Sequence, residues 1–102
     1  MSEASQSPGT IESLVGENLT EVSFVMDYVQ IHFNGPVITA LTSPTVEFDE
    51  QQWRFPGPGS RDALCSLIGA TVSHVSVVPE AAIELLFTAG QRLVIPDRKS
   101  VV

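Results

Sequence analysis

A chain of 102 residues has room for one hydrophobic core and not two, and a composition of 43% hydrophobic and 17% charged residues excludes general disorder. The net charge of -7 is unevenly laid out. Glu3, Glu12, Glu17, Glu21, Asp27, Glu47, Asp49 and Glu50 all precede the first basic residue, Arg54, which is followed by Arg61, Arg92, Arg98 and Lys99. This layout excludes direct nucleic-acid binding, which needs clustered cations, and the single cysteine, Cys65, excludes an intramolecular disulfide.

Residues 1–9 read as a flexible tail that lacks the basic start and apolar centre of a signal peptide. No later run approaches the about 20 apolar residues of a membrane span. A cytoplasmic protein without membrane contacts is the expectation. Ile11, Leu14 and Val15, closed by Gly16, then give a short helical signal. Leu19–Val25 is a strand signal in which the spacing of Leu19, Val22 and Phe24 breaks strict alternation once. A bulge, or a strand that starts after Leu19, would explain the break. Over residues 28–33 the alternation is clean, with Val29, Ile31 and Phe33 on one face and Tyr28, Gln30 and His32 on the other. Asn34-Gly35 marks a hairpin turn, and a third strand runs through Ile38 to Thr42 before Pro44.

Thr45–Asp49 reads as a further short strand, and Gln51–Gly59, which ends Pro56-Gly57-Pro58-Gly59, as a loop. A second helical signal follows: Ser60 as a cap, Asp62 in the first turn, Leu64, Leu67 and Ile68 on one face, and Gly69 at the end. Val72–Val78 is the next strand. Ile83, Leu85 and Phe87 alternate after it, Ala89-Gly90 turns the chain, and Arg92–Ile95 runs to Pro96. Residues 98–102 read as a second tail.

Residues 11–25 and 64–78 align without gaps at an offset of 53, with Ser13/Ser66, Leu14/Leu67, Gly16/Gly69, Val22/Val75, Ser23/Ser76 and Val25/Val78 identical. Two single-residue insertions at turns extend the match to the following strands. The predicted fold is therefore α+β and mainly β, with two pseudo-symmetric copies of a short helix followed by an antiparallel three-stranded meander. The copies occupy about residues 10–43 and 60–97, joined by a connecting segment over 44–59, in one barrel-like or sandwich-like domain spanning 10–97.

The runs Leu14-Val-Gly-Glu-Asn-Leu-Thr-Glu-Val22, Asp62-Ala-Leu-Cys-Ser-Leu-Ile-Gly-Ala-Thr-Val72 and Glu84-Leu-Leu-Phe-Thr-Ala-Gly90 resemble small uncharacterised bacterial proteins with domains of unknown function. In these a leucine-aliphatic-glycine sequence precedes a valine-rich strand. The resemblance spans about residues 11 to 96 and implies the duplicated unit, but no active site.

Chemistry-bearing residues are sparse. Cys65 has no base in its local sequence, and His32 and His74 do not correspond between the two copies. A metal set of His32 with Glu47 and Asp49 lacks close His or Cys spacing, so no catalytic residue, cofactor or metal is assigned. Glu47, Asp49 and Glu50 form the densest acidic group, with Glu47 and Asp49 projecting from one strand face. Trp53, Arg54 and Phe55, with Arg61 downstream, form an aromatic-arginine set. It suits a partner hot spot or an anion, or else covers one end of the core.

The expected function is a non-enzymatic protein-binding or interaction module, as a homodimer or with another protein. A sharper version is an acidic inhibitor or immunity-like protein. The alternative is a small-ligand-binding or enzymatic domain with a pocket between the two copies, lined by Trp53, Tyr28 and Phe55.

Overall fold

Among the described residues, runs of β-branched and aromatic residues, punctuated by glycine and proline turns, fold into two antiparallel sheets with one short α-helix against them. The structure is a computed structural model that describes residues 11–26, 28–41, 43–78, 82–96 and 99–101. The expected tail over residues 1–9 lies outside them. In chain order the elements are β1 (Leu19–Val25), β2 (Tyr28–Phe33), β3 (Val37–Ala40), β4 (Thr45–Phe48), β5 (Gln51–Arg54), α1 (Ser60–Cys65), β6 (Val72–Val78), β7 (Ala82–Phe87), β8 (Arg92–Pro96) and β9 (Lys99–Val101). One sheet has the order β1-β2-β3-β9 and the other β5-β4-β8-β7-β6.

The period-two patterns decide the inner faces. Val29, Ile31, Phe33, Ile38 and Ala40 from the first sheet meet Val46, Ile83, Leu85, Phe87, Leu93 and Ile95 from the second in a single buried cluster. Leu14, Leu64 and Leu67 close that cluster from outside the sheets. The break in alternation is a bulge in both places: the β1–β2 register shifts between Leu19 and Glu21, and the β6–β7 register between Val72 and His74.

The starts of β1 and β6 are tied to each other by exchanged hydrogen bonds. Gly16 N–H donates to Val72 O and Gly69 N–H to Leu19 O, at 2.8 and 2.7 Å, while Leu19 N–H and Val72 N–H bond the carbonyls of Ala70 and Glu17. Gly16 and Gly69 hold φ of +92° and +93°, which a residue with a Cβ adopts only at a cost. Thr71 Oγ1 adds a 2.7 Å bond to Asn18 Oδ1.

Two helix-then-meander copies are not what the chain forms. Among the described residues α1 is the one α-helix, and Ile11–Leu14 makes only a 3-10 turn. Ile11–Leu14 is a single 3-10 turn, whose i to i+3 bonds have poorer geometry than those of an α-helix and are used in short pieces. Among the described residues the sheets are also unequal, with four and five strands, and neither closes on itself into a barrel. Two strands enlarge the second sheet from the segment between the expected copies: β4, and β5 where a loop was expected. Lys99–Val101, expected to fray, pairs with β3.

The β4–β5 hairpin turns on Asp49 and Glu50, both non-glycine residues at positive φ, +55° and +65°. A two-residue turn of this hand favours glycine at its second position. Glu50→Gly is therefore expected to stabilise the protein by about 0.5 to 1 kcal/mol, read as a rise in Tm of a few degrees; a fall in Tm would count against the turn geometry.

Candidate functional site

The expected site residues separate into distinct places, and α1 is what divides them. Trp53 and Phe55 are two apart in sequence, so an extended chain would present them on one side. Instead Trp53 lines a cleft against Ala63 and Ser66 at α1, while Phe55 lies under Arg61 of the same helix.

Around Arg61 the side chains form a layered cluster. Phe24, at the exposed end of β1, and Phe55 stack with centroids 5.7 Å apart and planes 19° from parallel. The Arg61 guanidinium carbon lies 5.6 Å from the Phe24 centroid and 5.1 Å from that of Phe55, within cation–π range of both rings. A depression of about 210 Å³ beside it is lined by Met26, Tyr28, Leu41, Phe55 and Arg61, among others. Tyr28, Phe55 and Arg61 thus come together as one surface. Sequence reasoning missed Phe24, Met26 and Leu41: Phe24 has the spacing of a core residue, yet the strand carries it past the edge of the core.

The second place is a cleft of about 540 Å³ between α1 and the inner face of β4 and β5, walled by Val46, Phe48, Trp53 and Ala63 with Asp62, Ser66 and Gln91 at its polar points. Trp53 is held close to Gly59: a Cβ at that glycine would sit 3.0 Å from the indole Cδ1 and 3.3 Å from Nε1. The side-chain oxygen of Gln91 is buried without a hydrogen-bond partner. A buried acceptor in that state costs about 1–3 kcal/mol relative to one that is satisfied. Neither Phe48 nor Gln91 stands out in the sequence, because each acquires its surroundings from the hairpin beside it.

The acidic group lies elsewhere. Glu47 sits 3.5 Å from Arg92 and accepts a 3.1 Å hydrogen bond from Gln52, and Arg92 is 3.9 Å from Glu84 as well. These pairs are partly solvated and worth about 0–1 kcal/mol each. Asp49 is exposed in the β4–β5 turn, and Arg54 is exposed at the end of β5, on the face opposite Trp53. His32 lies on the first sheet, near Ser23, whereas Glu47 lies on the second and Asp49 in its β4–β5 turn. Among the described residues no group of three or more His, Cys, Asp or Glu is placed to hold a metal ion. Cys65 is exposed at the end of α1.

Among the described residues no helix is long and apolar enough to cross a membrane. The small bacterial proteins suggested by the leucine-aliphatic-glycine runs do not hold as relatives, because the duplicated helix unit behind that likeness is absent from the described residues. No protein-family model, no curated protein and no solved structure matches this chain.

Proposed function

We propose that this chain is a non-enzymatic protein-binding module whose contact surface centres on Arg61. The observation that carries the proposal is the guanidinium held over Phe24 and Phe55. Around it are exposed apolar side chains, Met26 at 92% and Leu41 at 46% of full exposure, which have no evident role in the core. Arginine, methionine and aromatic residues are the types enriched in protein interfaces, and a stacked guanidinium loses little entropy when it binds a partner. Among the described residues Arg61 makes no ion pair, so its N–H edges remain open to a carboxylate.

The partner is a protein of net positive charge that presents a carboxylate beside an aliphatic or aromatic side chain. Its positive charge complements the net charge of -7 and steers approach, while the single carboxylate anchors on Arg61. An acidic inhibitor acting on a basic target is one form this takes, although Glu47 is already engaged by Arg92 and Gln52.

The test is affinity capture from the native host with the wild-type chain, Arg61→Glu and Arg54→Glu in parallel. The retained partner should bind Arg61→Glu more weakly by about 2 kcal/mol or more, a factor of about 30, and Arg54→Glu nearly as well as wild type. Equal retention by Arg61→Glu, or no specifically retained protein, would overturn the proposal. Self-association of the wild type that Arg61→Glu abolishes would replace the partner with a second copy of this chain.

A further inference from the structure

We infer that the cleft between α1 and the β4–β5 hairpin is a separate binding site for a small planar aromatic molecule bearing a cationic hydrogen-bond donor. Its volume of about 540 Å³ falls within the about 300–1,000 Å³ of small-molecule sites, and the depression beside Arg61 is less than half as large. Two aromatic rings, Phe48 and Trp53, wall it. Phe48 is 44% exposed although it lies on the strand face that Val46, two residues earlier, buries completely. Such an exposed ring beside the cleft is suited to a flat apolar body.

The polar points select the rest of the ligand. Gln91 lines the cleft, and its side-chain oxygen is buried without a partner; a rotation of the amide toward the cleft brings that oxygen to a ligand N–H, which supplies the missing donor. Asp62 and Ser66 are four residues apart on the same side of α1 and both line the cleft. Among the described residues Asp62 makes no ion pair. A carboxylate and a buried carbonyl-type acceptor favour a cation and repel an anion, and two aromatic walls favour the same charge. An amidinium or ammonium group on an aromatic ring meets all three requirements. The close seating of Trp53 on Gly59 keeps the indole in place before a ligand arrives.

Trp53 is the only tryptophan, so its emission reports this cleft alone. The probe is benzamidine, with benzoate as a comparator of the same shape and opposite charge. Titration with benzamidine into the full chain should give a saturable change in Trp53 emission and a shift of the indole N–H resonance, with benzoate weaker by at least about tenfold. Gln91→Met should weaken benzamidine by about tenfold while leaving Tm unchanged or raised, since it removes an unsatisfied buried atom. Asp62→Asn, a change at an exposed helix position, should weaken it as well. Phe24→Ala should leave it unaltered, which separates this site from the surface around Arg61. Absence of any saturable response at millimolar benzamidine would overturn the inference. So would equal binding of benzoate, or wild-type affinity in both Gln91→Met and Asp62→Asn.

Discussion

Leu93→Ala is expected to lower the free energy of unfolding by about 3 kcal/mol, within the about 2–5 kcal/mol range of buried leucine truncations. Leu93 has no exposed surface and lies on β8, the middle strand of the five-stranded sheet. Its Cα partners are Val46 on β4 and Leu85 on β7, both also buried. Strand ladders on either side hold the backbone, so the sheet cannot close over the missing methyl groups and the cavity term stays near its full size. At about 4–8 °C per kcal/mol the loss in Tm is about 12–24 °C. A chain of this length has only about 5–15 kcal/mol of net stability, so the variant sits near the threshold of folding. Val94→Ala, on the half-buried opposite face of the same strand, should cost no more than about 1 kcal/mol. Urea titration of the two variants checks both figures, and similar losses for the two would mean that β8 does not have one inner face.

Gly59→Ala should destabilise by about 2–3 kcal/mol and shift the emission of Trp53. Gly59 precedes α1 at φ +79°, a left-handed conformation that costs a residue with a Cβ about 1–2 kcal/mol. The added Cβ would also sit 3.0 Å from Trp53 Cδ1, so the indole must move or the helix start must tilt. Gly16→Ala provides the reference: its φ is +92°, yet nothing lies within 4 Å of the place its new methyl group would occupy. Gly16→Ala should therefore cost the backbone share alone and leave the emission unchanged. The difference between the two, about 1 kcal/mol, measures how firmly Trp53 is seated against the loop. Equal losses without any change in emission would show that the indole is free to swing away from Gly59.

The strands of the two meanders are legible in the residues themselves, because period-two alternation at Val29, Ile31 and Phe33, and at Ile83, Leu85 and Phe87, reflects which face meets the core. The break in alternation at Leu19, Val22 and Phe24 is legible as well, but it fits either a bulge or a strand that starts after Leu19, and the register shift between Leu19 and Glu21 is what decides for the bulge. β5 is not legible. Gln51, Gln52 and Arg54 carry no strong strand preference, and β5 forms because the Asp49–Glu50 turn brings it alongside β4. The likeness between residues 11–25 and 64–78 suggested two helices, but the first segment forms only a 3-10 turn.

The candidate site residues divide along the same line. Arginine and aromatics on a proline- and glycine-rich segment made Trp53, Arg54, Phe55 and Arg61 candidates either for binding or for covering the core; Trp53 lines one cavity, Phe55 and Arg61 the other, and Arg54 neither. Which of them act together depends on α1, which draws Arg61 onto Phe24 and Phe55 while Ala63 and Ser66 enclose Trp53. The sequence by itself determined the inward faces of the two meanders and the glycine turns within them, because each depends on neighbours a few residues away. Only the tertiary structure decided how many strands join each sheet, where Phe24, Phe48 and Gln91 come to lie, and which side chains share a surface. Those depend on contacts between residues tens of positions apart, which no local pattern encodes.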